Sequence, residues 1–130
     1  MKGIIISDGK FLVLKQKVSE KFYWDLPGGR VIYGENPEDC LVREIFEETG
    51  MKIKIIKPLG VWSFLRADKD QVVCFTFLCS PKSADVHTDS NPDESEITES
   101  YHWFTKDEFL ANSDSMPDEG LKNFIKELEL

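Results

Sequence analysis

The stretch GGRVIYGENPEDCLVREIFEETGM, Gly28 to Met51, constrains this 130-residue chain more than any other. Its second half predicts a helix with both ends fixed. Asn36 is a good N-cap, and Pro37 suits the first helical position because the amide hydrogen it lacks would be unpaired there anyway. Glu38 and Asp39 put negative charge in the first turn, where the helix dipole favours it. Gly50 can take the left-handed conformation that ends a helix. At about 100° per residue, Leu41, Val42, Ile45, Phe46 and Thr49 fall in one arc that reads as core-facing. Glu44, Glu47 and Glu48 fall in a separate arc, and Arg43 sits beside Glu47 as its i,i+4 partner.

Three carboxylates at i, i+3 and i+4 repel one another by roughly 0.2–0.5 kcal/mol per neighbouring pair. The default reading of an EIFEE run is a solvated acidic face. Here the run lies on a capped amphipathic helix directly after a glycine-rich loop, which gives it a second reading. Three hard oxygen donors on one face suit Mg²⁺ or Mn²⁺, which bind through a few carboxylates, waters and substrate phosphates.

These residues match a pattern. Gly29, Glu35, Arg43, Glu44, Ile45, Glu47, Glu48, Gly50 and Met51 fill every specified position of the Nudix box, with the right spacing over residues 29–51. Trp24-Asp25-Leu26-Pro27-Gly28 is similar to that family's lead-in. The box covers about a sixth of the chain; the remainder resembles the family only in the order of its elements. The resemblance implies a Nudix fold, a mixed β-sheet sandwiched between helices. It also implies metal-dependent hydrolysis of a nucleoside diphosphate linked to another moiety. Glu44, Glu47 and Glu48 would hold the ions, joined by the Gly29 carbonyl. Glu47 or Glu44 would act as the base, Arg43 would orient Glu47, and Glu35 would brace the loop. Gly28, Gly29, Arg30 and Trp24 are the expected substrate contacts. In some family members a glutamate before a Trp-Phe strand adds a further ligand or serves as the base. Glu99 is the first candidate for that role, ahead of Glu96 and Glu94, although the commonest spacing falls on Ser100.

Around this stretch the chain reads as one α/β or α+β domain over residues 1–130. Gly3–Ser7 and Lys10–Gln16, joined by Asp8-Gly9, predict a β-hairpin. Phe22-Tyr23-Trp24 predicts a short strand whose aromatic rings either stack a base or cap the core. Met51–Ile56 and Gly60–Arg66 predict strands interrupted near Pro58, and Gln71–Ser80 a further strand. Residues 81–95 are polar and predict a long loop. Thr105 with Glu108 has capping-box spacing. Leu121, Phe124, Ile125 and Leu128 recur at helical spacing, a stripe for the core or, second, for a homodimer.

Composition narrows the function. The net charge is −8, which disfavours a nucleic-acid groove and implies that phosphates arrive with divalent metal. No apolar run approaches the roughly 18 residues of a membrane span, and no signal-peptide pattern opens the chain. Cys40, Cys74 and Cys79 are odd in number and lack Cys-x-x-Cys spacing, so they read as reduced structural residues of a cytoplasmic protein. His87 and His102 are isolated and read as satisfied or solvent-facing. The expectation is a Mg²⁺- or Mn²⁺-dependent pyrophosphohydrolase taking nucleoside triphosphates to monophosphate and pyrophosphate. ADP-ribose, a nucleotide sugar or a dinucleoside polyphosphate is the rival substrate. A non-catalytic nucleotide sensor is the rival class, disfavoured because the box keeps all its glutamates.

Overall fold

The computed structural model describes residues 1–18, 20–65, 70–82, 86, 97–112 and 119–130. The chain runs β1 (Lys2–Ser7), β2 (Lys10–Val18), β3 (Lys21–Asp25), α1 (Pro37–Thr49), β4 (Ile53–Leu65), β5 (Gln71–Pro81), β6 (Ile97–Phe104), α2 (Lys106–Ala111) and α3 (Glu119–Glu127). The Asp8-Gly9 hairpin forms as the sequence predicts, with φ of 52° and 73° at the two turn residues. Both residues at positive φ make the kind of turn that matches strand twist.

The sheet has six strands in the order β3-β2-β1-β5-β4, with β6 on the other edge of β2. Only β1 and β5 are parallel; the remaining ladders are antiparallel. β1 pairs with β2 beside their turn, at Ile6–Phe11 and Ser7–Lys10, and β3 takes over from Leu14 onward. The break expected near Pro58 does not split β4. It is absorbed as two register shifts, at Ile55/Lys57 and Pro58/Gly60, because a bulge lets an edge strand carry a proline without ending the ladder.

Two cores lie on the two faces of this sheet. On one, Leu41 and Ile45 of α1 pack with Ile5, Leu12, Leu14, Met51, Ile53 and Cys79. On the other, Phe109 of α2 and Leu121 and Ile125 of α3 pack with Ile4, Phe11, Val13, Trp24, Leu26, Trp62 and Cys74. Alternation along the strands sends successive residues to opposite faces, which is why Cys74 and Cys79 end in different cores. All three cysteines are buried thiols outside any disulfide. The α3 stripe packs on the second core, the first of its two readings, with Phe124 and Leu128 against it. Among the described residues no helix is long and apolar enough to cross a membrane.

Helix α1 begins and ends as its sequence predicts: the Asn36 side chain accepts from the Glu38 amide, and Gly50 is left-handed. Its orientation is different. The buried residues are Cys40, Leu41, Ile45, Glu48 and Thr49, whereas Val42 and Phe46 are 40% and 49% exposed. The helix is turned so that an acid points inward and two apolar side chains point out. The cause is the site.

Candidate active site

The site is assembled from the loop before α1, from α1 itself, from the start of β1 and from the end of β2. Gly28 forms an isolated β-bridge with Lys2. Around it the Gly3 amide donates to the Pro27 carbonyl (2.9 Å) and the Gly29 amide to the Met1 carbonyl (3.0 Å). Gly28 sits at φ 147°, and a Cβ there would overlap the Met1 carbonyl oxygen, so glycine is required on both counts. Below the loop the Lys2 ammonium pairs with Asp25 (2.7 Å) and donates to the Leu26 carbonyl (3.2 Å). Burial alone would lower the pKa of Lys2. Asp25 and then Glu48 outweigh it and hold the group firmly charged.

Arg43 is the hub of the carboxylates. Its Nε and Nη2 meet Glu35 in a fork at 2.7 and 3.0 Å. Its Nη1 donates to Glu44 (2.9 Å) and Glu47 (3.1 Å), and Nη2 reaches the Arg30 carbonyl (3.3 Å). Glu35 also accepts from the Ile32 amide at 3.1 Å. The Arg43 fork and then this amide push the Glu35 pKa down to about 2, and Glu35 in turn raises that of Arg43. The Cα of Gly29 lies under Glu44, whose carboxyl group a Cβ at Gly29 would overlap.

Glu48 is only 3% exposed. Its Oε1 accepts the Gly28 amide at 2.6 Å and its Oε2 the Gln16 side-chain amide at 3.3 Å. Gln16, itself 5% exposed, accepts from the Thr98 hydroxyl at 2.9 Å.

Glu44, Glu47, Glu48, Arg43, Gly28 and Gly29 therefore come together. Their contacts are wider than the pattern alone suggests. Arg43 holds Glu44 and Glu35 as well as Glu47. The Gly28 amide is taken by Glu48 and the Gly29 amide by Met1. The Gly29 carbonyl accepts from the Met1 amino group at 2.8 Å. Among the described residues no group of three or more acid, thiol or imidazole side chains already converges as a metal cluster; Glu44 and Glu47 face the one guanidinium instead. The donor set still fits a hard divalent ion: all its side-chain donors are carboxylate oxygens, and the one guanidinium of Arg43 is shared among Glu35, Glu44 and Glu47.

The other candidates are more scattered. Trp24 is packed in the core opposite α1, edge-on to His102 and Phe104 at 5.0 and 5.3 Å. Among the described residues its buried indole N–H has no hydrogen-bond partner. The Arg30 side chain lines an open depression of about 380 Å³ with Asp70, Gln71, Val72 and Val73. Glu99 is exposed within β6, at a register shift where Lys15 opposes Ser100 and Gln16 opposes Thr98. His102 is exposed and stacked on Phe104. Glu94, Glu96 and His87 lie outside the described residues. Gln16 and Thr98 are absent from the residues singled out by sequence. The available signal was position: in Leu12-x-Leu14-x-Gln16 the third inward place of a strand carries an amide.

A family model described as NUDIX domain matches residues 3–127. The chain is 28% identical over 107 residues to a MutT-like protein of Streptomyces ambofaciens, covering 82% of this chain and 62% of that one. It is 36% identical over 97 residues to an ADP-ribose pyrophosphatase of Methanocaldococcus jannaschii, covering 73% and 57%. The chain thus spans about three fifths of the length of these relatives. Among solved structures, a MutT NUDIX hydrolase from Burkholderia pseudomallei superposes with a TM-score of 0.78 over 98% of this chain and 95% of that one; at 23% identity this is a likeness of fold. With the match running nearly end to end, and the complete box seated on its loop and helix, the chain belongs to the Nudix family.

Proposed function

We propose that this chain hydrolyses the diphosphate bond of a nucleotide, taking nucleoside triphosphates to monophosphate and pyrophosphate. The observation that carries the reading is the gathering of Glu44, Glu47 and Glu48 around Arg43 and Gly28. Those glutamates, with the Gly29 carbonyl, would hold Mg²⁺ or Mn²⁺. Such ions, when bound, offset phosphate charge and make an attacking water more acidic. Water adds to one phosphorus as the P–O bond on the far side of that phosphorus breaks, and the bridging oxygen leaves with the departing phosphate. Arg43 holds Glu44 and Glu47 at fixed angles, and one of these two takes the proton from the water. Both are half-buried rather than sealed off, so solvent within reach can accept the proton. Glu48, buried and doubly hydrogen-bonded, is set up to hold an ion rather than to shuttle a proton. Glu99 would be a further ligand, and Arg30, at the loop's open edge, would meet substrate phosphate.

The 36% identity to an ADP-ribose pyrophosphatase supports a second substrate reading on the same chemistry. Product-resolved hydrolysis separates the two. A panel of nucleoside triphosphates, ADP-ribose, nucleotide sugars and dinucleoside polyphosphates is incubated with Mg²⁺ or with chelator. Metal-dependent release of pyrophosphate from triphosphates supports the first reading. Cleavage of ADP-ribose alone transfers the site to the second. No cleavage of any, with a nucleotide still bound, overturns both. In the Glu48→Gln variant turnover should fall by at least about 100-fold, since a direct ligand matters more than the outer partners whose loss costs about 10–100-fold.

A further inference from the structure

We propose that Gln16 is a positioning residue for Glu48, fixing through a hydrogen-bonded chain from β6 how that carboxylate meets a divalent ion. The proposal rests on the reading of Glu48 as a metal ligand.

The chain of bonds has one sensible direction. An ionised carboxylate only accepts, so the NH₂ end of the Gln16 amide must face Glu48, and its carbonyl end must face away. The hydroxyl of Thr98 donates to that carbonyl end at 2.9 Å. Thr98 therefore locks the amide against a flip that would press oxygen against oxygen. The amide then holds Oε2 of Glu48 at 3.3 Å while the Gly28 amide holds Oε1 at 2.6 Å. With one fixed donor on each oxygen the plane of the carboxylate is set.

The residue type matters as well as the position. An arginine or lysine here would orient Glu48 but also neutralise it and compete with a cation. A glutamate would repel it. A neutral amide fixes direction and leaves the charge intact. The nearby Lys2 takes Asp25 as its direct partner, with Glu48 a second negative charge beside it. The placement is local to one irregularity. Gln16 opposes Thr98 only because the ladder shifts there, leaving Glu99 as the extra residue between Thr98 and Ser100. In register, Trp103 opposes Leu12 and Tyr101 opposes Leu14. Leu12 and Leu14 face α1, so alternation sends Glu99 toward that face too. The bulge thus serves both ends of the site: it hands Thr98 to Gln16 and leaves Glu99 on the Glu48 side.

The test is Mn²⁺ binding to the nucleotide-free chain, followed by the electron paramagnetic resonance of free Mn²⁺, beside thermal unfolding without metal. Gln16→Met keeps length and apolar bulk but removes both hydrogen-bonding ends. It should raise the Mn²⁺ dissociation constant by about 10–100-fold, the usual effect of losing an outer partner of a ligand. Turnover should recover as Mn²⁺ is raised. Thr98→Val, which frees the amide without deleting it, should weaken binding less, and the double variant should match Gln16→Met alone. A Mn²⁺ affinity within about twofold of the unaltered chain in either single variant overturns the proposal, as does a double variant whose effects simply add. If Gln16→Met does not fold, Thr98→Val decides by the same criterion. Glu48→Gln separates the two layers. If it loses Mn²⁺ while Gln16→Met does not, Glu48 stands as a ligand and Gln16 is only a satisfied core amide. If it binds Mn²⁺ unchanged, the ligand reading itself falls and the proposal with it.

Discussion

Arg43 is one cation facing three carboxylates, and that imbalance governs the chemistry of individual residues. Glu35 takes the best geometry, the two-pronged fork, which leaves Glu44 and Glu47 on a single shared nitrogen. Glu35 titrates in the folded chain at about 2 against an ordinary 4.5. A depressed carboxylate pKa gives stability that is present above the ordinary value and is lost as pH falls through the folded one. Urea denaturation of the unaltered chain and of Glu35→Gln should therefore differ at pH 6, and the gap should close between about pH 4.5 and 2. A gap that persists below pH 2 would refute the pairing. At Gly29 an added Cβ would displace Glu44 rather than backbone. Gly29→Ala should thus lower kcat with little loss of stability, while Gly28→Ala, strained in φ and overlapping backbone, should cost about 1–3 kcal/mol, read by the same denaturation. The box glutamates and Arg43 were legible in the sequence because their spacing is rigid on a helix. Gln16 was not, because its meaning depends on partners 32 and 82 residues away.

At the scale of elements, α1 shows what amphipathic reading can and cannot do. Its ends are local matters of capping and were readable residue by residue. Its rotation is not local. An arc of apolar residues assumes that every acid faces water, but Glu48 has the Gly28 and Gln16 amides waiting inside. Placing it there turns Val42 and Phe46 outward, where with Arg43, Lys52, Ile53 and Lys82 they line a shallow depression of about 370 Å³. Two consequences are measurable. Asn36→Ala removes the side-chain oxygen that accepts from the Glu38 amide and should cost about 1 kcal/mol of unfolding free energy. Phe46→Ala should cost much less than the roughly 3–5 kcal/mol of a buried phenylalanine, since half of its surface is already in water. The strands were legible where alternation was clean. β4 was misjudged as two because a sequence displays its proline but not the register shifts that accommodate it.

For the molecule as a whole, two cores share one sheet, so neither can be lost alone. Ile45 lies in the α1 core and Ile125 in the α3 core, each fully buried. Each change to alanine should cost about 2–5 kcal/mol, a large part of the 5–15 typical of a domain. Both variants should still melt in one transition, followed by calorimetry and by far-ultraviolet circular dichroism; two resolved transitions would show the faces to be independent. The sandwich was legible in outline, since an amphipathic helix and strongly apolar strands must cover one another. The pairing of β1 with β5 was not, because nothing local marks which strand a parallel neighbour will be. The irregular turn of the ladder at Gln16 and Thr98 also bears on how such a chain changes over generations. Glu99 stands outside the ladder that holds its strand in place. A lineage can therefore replace it without re-registering any strand, whereas Thr98 beside it and Gln16 across from Thr98 are tied to each other. The bulge makes one position in β6 free to specialise while the scaffold around it is inherited unchanged.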